Sequence, residues 1–296
     1  MGRDQGASRF RTGTGMTRRT ALAAVAGLFV APRLFAQQTG DTRHEAINVI
    51  PFNKLTPQAT QKITAVIEKP SIYRRVPTQA TNCDPEMFTC CLRSPEIVVN
   101  IWQLMGITTM TAERTGGYTW KGNDGMGTTG DVELIYGSEN LHVVYADGFY
   151  EGQLLKRKMT GRTVMILQSA AAEGADARPL VTSRLDMFLQ IDNAGIDLVA
   201  KSLYPLIGKT CDANFADTVA FIGKISQSAE RNGPGMQQLA AKLQNVKAEV
   251  RDEFSKTATN VNQRAAARSL GETTPTAVVR SQSPAANTPV PVRSPR

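Results

Sequence analysis

Histidine is almost missing from this 296-residue chain, which carries only His44 and His142. That excludes a His-rich metal centre, and no motif ties either residue to a serine or cysteine nucleophile. His142 alone, set on the polar face of an expected strand, remains a candidate base. Cysteine is scarce too, and Cys83, Cys90, Cys91 and Cys211 show no recognised metal-ligand spacing. If all four are oxidised, three pairings are open, and Cys83 with Cys90 or Cys91 would close a small loop. The sequence implies no cofactor. Aromatic residues make up 6% of the chain, and no apolar run is long enough to span a bilayer well.

Basic charge is plentiful, but only at the ends. Of the formal +8, residues 1–36 supply +5 and residues 255–296 another +5, which leaves residues 37–254 at −2. The basic pI therefore describes a leader and a tail, and no nucleic-acid partner is expected. In the leader, Arg18 and Arg19 precede a short apolar run at 21–31, and Leu34-Phe35-Ala36 offers a cleavage site. Charged n-region, short h-region and small terminal residue are those of a bacterial signal peptide over residues 1–36. The Arg pair resembles the twin-arginine export signal, departing from it at Ala21, and Met16 is an alternative start. An exported, periplasmic or extracytoplasmic protein is the expectation. Residues 255–296, rich in Pro, Ser, Thr and Ala, keep no apolar period and read as a disordered basic tail. Its charge suits an anionic envelope surface as partner.

Between the ends, half-buried strands dominate residues 108–192. In residues 181–192 the odd positions Val181, Ser183, Leu185, Met187, Leu189 and Ile191 form an apolar face. The even positions, mostly polar, are expected to meet solvent. Leu141, Val143, Tyr145 and Phe149 repeat the pattern, as do Val132, Leu134 and Tyr136. Turns are expected at Gly116-Gly117, 123–125, 137–140, Asp147-Gly148 and Glu173-Gly174, so an antiparallel meander is favoured over βαβ units. A helix is expected at 60–69, ending before Pro70, with 44–54 irregular and Tyr73-Arg74-Arg75 a solvated basic spot. A second opens at Ser94-Pro95-Glu96 and carries Ile97, Val98, Ile101 and Trp102 on one stripe. Residues 196–230 read as a long helix broken near Pro205 and Gly208, and residues 236–254 as another. Domain organisation follows: an extension with the cysteine cluster at 37–93 and an α+β domain at 94–254.

The letters Gly125-Met126-Gly127-Thr128-Thr129-Gly130 match the dinucleotide fingerprint. That chemistry needs a helix N-terminus behind the glycines, whereas the next residues continue as strand, so a glycine-rich turn is expected. No kinase catalytic loop follows either. Asp131 and Glu133 sit on alternate positions, as on a solvated strand face.

The order helix, antiparallel strands, long C-terminal helix over residues 94–230 resembles the START-like, polyketide-cyclase-like helix-grip superfamily. Residues 88–92 are the one stretch available for its first strand. The resemblance implies a sheet curled around the last helix and an apolar cavity, usually for lipids or other apolar molecules, and it carries over no catalytic residue. The expected function is thus an exported, non-catalytic protein that binds an apolar small molecule or lipid between sheet and helix. Trp120, Tyr136, Tyr145, Phe149, Met187, Leu189 and Leu203 are the candidate ligand-binding residues. The alternatives are an envelope interaction protein with a filled core, and an enzyme without a recognisable motif.

Overall fold

Residue 32 opens the described structure, a computed structural model covering 32–153, 158–174, 177–192 and 196–272, with the backbone alone at 32–39, 196–206 and 271–272. The chain divides into two units, residues 1–41 and 42–296. Of the first, the described part is the start of helix α1 (Pro32–Asn48). The arginine pair of the leader and residues 273–296 lie outside the described residues.

The second unit begins in helix, where sequence reading expected irregular chain at 44–54: α1 continues to Asn48 and a 3-10 turn follows at Phe52–Lys54. Helix α2 (Pro57–Ile67) starts at Thr56, whose extended backbone lets its hydroxyl accept from the Ala59 amide at 3.2 Å. Pro57 fills the first helical position, where its missing N–H costs nothing. Ile63, Val66 and Ile67 form the buried stripe of α2.

Strands β1 (Ile72–Arg75) and β2 (Gln79–Asn82) come next. Helices α3 (Pro85–Arg93) and α4 (Pro95–Leu104) follow. Residues 88–92 are therefore helical, and the strands that precede α4 are β1 and β2. The Asp84 carboxylate caps α3 by accepting from the Glu86 amide at 2.9 Å. Six further strands form a meander: β3 (Thr111–Arg114), β4 (Thr119–Asn123), β5 (Thr128–Gly137), β6 (Leu141–Tyr150), β7 (Met159–Glu173) and β8 (Pro179–Ile191). Asp147-Gly148, expected as a turn, lies inside β6.

All pairings are antiparallel, in the order β1-β8-β7-β6-β5-β4-β3, with β2 also on β8. The two early strands share the free edge of β8: Ile72 pairs with Leu189, and Gln79 with Ser183. Tyr73-Arg74-Arg75, expected to be solvated, is thus a strand held by charge pairs. The Asp186 carboxylate, fully buried, accepts from Tyr73 Oη at 2.7 Å and Arg75 Nε at 2.8 Å. Arg74 Nε donates to Asp212 at 2.7 Å.

Helix α5 (Ile196–Arg231) packs along β1, β2, α3 and α7. It is one helix of 36 residues, without the break expected near Pro205 and Gly208. Gly208 makes room for a side chain instead: a Cβ there would lie 3.1 Å from Arg74 Nη1. The Asn232 side chain accepts from the Gly235 amide at 2.9 Å and starts α6 (Gly233–Lys242). The helix expected across 236–254 is interrupted at residues 243–247, where Leu243 and Val246 turn into the core. Helix α7 (Ala248–Glu272) then carries ordered structure well past residue 255, where the disordered tail was expected to begin. Phe254, Ala258 and Val261 are fully buried and give α7 its inner stripe. Arg264 donates to both Asp84 oxygens at 2.9 Å and to Glu86 at 2.7 Å, tying α7 to the start of α3. Two of the three stripe residues are Ala and Val, so hydropathy contrast along this segment is weak and the period is easily missed.

The chain is an α+β fold, an antiparallel meander packed on a long C-terminal helix with flanking helices. Two apolar cores lie on opposite faces of the sheet. One joins Ala46, Ile50 and the α2 stripe to Val143, Tyr145, Val164, Ile166 and Phe188. The other joins α3, α4, α5, α6 and α7 to Val181. The even positions of β8, expected to meet solvent, are accordingly covered: Asp186 and Phe188 are both at 0% exposure under the N-terminal segment. Burial of a Phe or Ile side chain in such a core contributes about 1.5–3 kcal/mol.

Candidate functional site

On the α5 side of the sheet, the strands nearest β3 leave space that side chains do not fill. The cavity there has a volume of about 600 Å³ and is bounded by strands β3–β8, by Pro95 and Val99 of α4, and by Ile207 of α5. That lies in the usual range for a small-molecule site.

The register explains the cavity. Gly122 pairs with Gly130, Gly130 with Gly148, and Gly148 with Gly161, so four glycines stand side by side across β4, β5, β6 and β7. All four line the cavity. One row along, Trp120, Val132, Ala146, Thr163 and Leu189 are likewise in register and form one wall. Thr128, Tyr150 and Met159 form the opposite wall.

At the α4 end, Trp120 is fixed by a buried charge pair. Its Nε1 donates to Glu96 Oε2 at 2.7 Å, and Arg114 Nε donates to Glu96 Oε1 at 2.5 Å. The Arg114 guanidinium stands 4.8 Å from the Trp120 ring centroid and also donates to Arg93 O at 2.9 Å and Ser94 Oγ at 3.0 Å. Ser94, expected to cap α4 with its side chain, makes no such cap and serves Arg114 instead. Glu96 is 1% exposed, so its place in the first helical turn is a buried anchoring position.

At the other end, the Gly125–Gly130 segment forms the β4–β5 hairpin, with Gly125 at φ +73° and Gly127 at φ +117°. The letters of a nucleotide motif therefore make a turn with no helix behind it. The Asp124 carboxylate accepts from the Met126 amide at 2.7 Å and the Thr128 amide at 2.9 Å. Burial opposes its ionisation, but these hydrogen bonds together hold the carboxyl below its usual range.

Of the expected ligand-binding residues, Trp120 and Leu189 line the cavity from its wall, and Phe149 borders it while standing, in the unbroken register of β6, on the same face as Tyr145. Met187 faces the same side but packs under α5, its sulfur 3.8 Å from Cys211 Sγ. Leu203 lies where the structure describes backbone alone. Tyr136 and Tyr145 are corrections, since both belong to the core under α2. For Tyr136 the cause is a β-bulge at residues 134–136, which moves it to pair with Val143 and off the face of Val132. For Tyr145 the apolar alternation was read correctly, but β6 is buried on both faces and the tyrosine belongs to the other one. Burial first, then Asp147, pushes the Tyr145 phenol up to about 12.

His142 is also displaced from its expected setting. It is 2% exposed, neither ring nitrogen has a protein hydrogen-bond partner, and burial followed by Arg93 lowers it to about 4. It does not line the cavity. The cysteines form no disulfide. Cys83, Cys90 and Cys91 are buried among α3, α5 and α7, and burial pushes Cys83 and Cys90 up to about 12 and Cys91 well above its ordinary value. Among the described residues no group of His, Cys, Asp and Glu is placed to hold a metal ion. Nor is any helix among them long and apolar enough to cross a membrane.

The glycine floor was missed in the sequence. Its signal was available in principle, because Gly122, Gly130, Gly148 and Gly161 come into line once the hairpin registers are known.

No family model and no curated protein matches this chain. Among solved structures, a conserved protein from Geobacillus kaustophilus is similar over 53% of this chain and 97% of its own, with 11% identity and a TM-score of 0.39. That similarity is too low to bear on function.

Proposed function

We propose that this protein binds an apolar small molecule or lipid in the cavity between the sheet and α5, without transforming it. The observation that carries this reading is the cavity itself, a space of about 600 Å³ floored by glycine and walled by Trp120, Val132, Leu189, Ile191 and Ile207. A close-packed interior has no use for such a space, since lining atoms without partners forgo dispersion contacts. Among the described residues the lining includes Thr and Asn but no Ser, Cys, Lys or His to act as nucleophile or strong base, which supports binding over catalysis. A curved antiparallel sheet with a long helix across it is also the arrangement on which a helix-grip assignment rests. Export is part of the proposal, on the strength of Arg18-Arg19 and the apolar run behind them. So is contact with an anionic envelope surface through Arg280, Arg293 and Arg296.

Native mass spectrometry of the protein purified from a cell-envelope fraction tests the reading. A bound species that leaves on mild activation and extracts into organic solvent is expected. A ligand-free protein that also takes up no neutral apolar dye would refute it. Recovery of the full chain from the cytoplasmic fraction alone would refute export and leave the binding reading standing.

A further inference from the structure

The floor of the cavity is bare backbone, and that narrows what it accepts. Neighbouring strands lie about 4.8 Å apart, so four glycines in register make a trough roughly 14 Å long. The trough is creased as well as bare. A Cβ built on Gly148 would lie 2.8 Å from Gly130 Cα, one on Gly130 would lie 2.9 Å from the Asp147 carbonyl oxygen, and one on Gly161 would lie 2.8 Å from that of Gln190. At these three positions the fold itself demands glycine. Gly122 is different. A Cβ there meets nothing closer than 3.9 Å, and its φ lies outside the left-handed region. Glycine inside a strand costs about 0.5–1 kcal/mol relative to alanine, and at this position the backbone receives nothing in return. What Gly122 supplies is room.

The charge of the lining narrows the ligand further. Among the described residues it contains no Lys, Arg or His; of its two acidic residues, Asp124 turns its carboxylate to the hairpin amides of Met126 and Thr128, and Asp147 turns its own to Tyr145 on the opposite face of the sheet. Lys158, beside the lining at Phe149, is exposed, stands 3.4 Å from that ring and faces Glu151 at 3.9 Å. A carboxylate or sulfonate entering the trough would lose its water and meet no described basic group in return, at high cost. The walls, by contrast, offer Trp120 and Tyr150 to flat rings, and Thr128 and Thr163 as neutral hydrogen-bond partners.

We infer that the trough takes an uncharged, flat, ring-bearing molecule and rejects anionic amphiphiles such as fatty acids, with Gly122 setting the depth available. This inference rests on the binding reading above and specifies its ligand class.

The test uses two dyes with the same rings, neutral N-phenyl-1-naphthylamine and its sulfonated relative 1-anilinonaphthalene-8-sulfonate, titrated into the full chain. The neutral dye should bind at least about tenfold more tightly, because only the sulfonate must give up strongly held water without a basic partner. Gly122→Leu should weaken the neutral dye by about tenfold or more while leaving the fold intact by circular dichroism. Ala146→Leu, which adds bulk to the wall from a different strand, should do the same and serves if the first variant does not fold. Phenanthrene should displace the dye at concentrations where 1-hexadecanol does not. Equal affinity for the two dyes, with both lost in Gly122→Leu, would overturn the charge selectivity while leaving a binding cavity. Displacement by hexadecanol as good as by phenanthrene would overturn the preference for rings. Dye binding unchanged in both variants would place it outside the trough and overturn the inference. No binding of either dye would strike at the binding reading itself.

Discussion

Removing residues 255–296 should destabilise this protein severely, whereas removing residues 273–296 should hardly affect it. The larger deletion cuts α7 just after Phe254 and takes away Ala258 and Val261, both at 0% exposure. At about 0.8 kcal/mol for each buried carbon, their loss costs about 3 kcal/mol. It also removes Arg264, whose two 2.9 Å bonds satisfy an Asp84 carboxylate only 4% exposed. Arg264 itself is 43% exposed, so the ion pair is heavily screened and the cost comes chiefly from stranding the buried acid, about 1–3 kcal/mol. Asn262, which donates to Ala229 O at 3.2 Å and Glu230 O at 2.9 Å at the end of α5, is lost as well. Together the first two effects reach about 4–6 kcal/mol. At 2–4 °C for each kcal/mol in a domain of this size, the melting temperature should fall by roughly 8–24 °C. The shorter deletion removes a segment with no apolar period and should shift it by no more than about 2 °C. Thermal unfolding followed by circular dichroism compares the two. A melting temperature unchanged by the 255–296 deletion would refute the packing of α7 described above.

Three further outcomes follow from the site and its surroundings. Leu189→Trp, which adds bulk to the cavity wall, should abolish dye uptake at little cost in stability, whereas Tyr145→Ala on the opposite face should lower the melting temperature and spare uptake; parallel titrations and melts separate them. The folded protein holds His142 neutral at about 4 against an unfolded value near 6.5, so the unfolded chain binds the extra proton between those limits. Stability should therefore fall as pH drops from about 6.5 to 4, by up to about 1.4 kcal/mol per pH unit from this residue, and His142→Phe should flatten that part of the curve in urea titrations. With an aromatic thiol reagent, Cys211 should react first in the native protein, and Cys83, Cys90 and Cys91 only on unfolding; fewer than four thiols in denaturant without reductant would show a disulfide.

Much of the fold was legible from local periodicity. Alternation over residues 181–192 located β8, the Asn123 and Gly137 turns bounded β5, and Ser94-Pro95 marked a helix start, whereas α2 begins three residues before its expected start at 60. The errors came where one signal has two physical causes. Gly208 reads as a helix breaker, yet it stands where an arginine must approach a helix. Asp147-Gly148 reads as a turn, yet Gly148 is a strand residue whose neighbours come too close for a side chain. Asp186 reads as solvated, yet it anchors two residues of a strand over a hundred positions earlier. The cavity was legible only as an architectural expectation, because its floor is made by four glycines that no local window contains together, and its face was confused with that of Tyr136 and Tyr145. A bulge of one residue was enough to move Tyr136 across the sheet.

The shared edge of β8 also sets the order in which the molecule can be completed. Tyr73 and its partner Asp186 are 113 residues apart, and β1 and β2 have no other strand to pair with. During synthesis at about 5–20 residues per second, β1 waits roughly 6–23 s for β8 to appear. Until then the meander grows with β7 as its bare last strand, and the Arg75 guanidinium has no Asp186 to meet. Closure of the sheet is long-range, so it is slow compared with hairpin growth. The chain thus passes through an interval in which its sheet is still open, and pairing of β1 and β2 with β8 ends that interval.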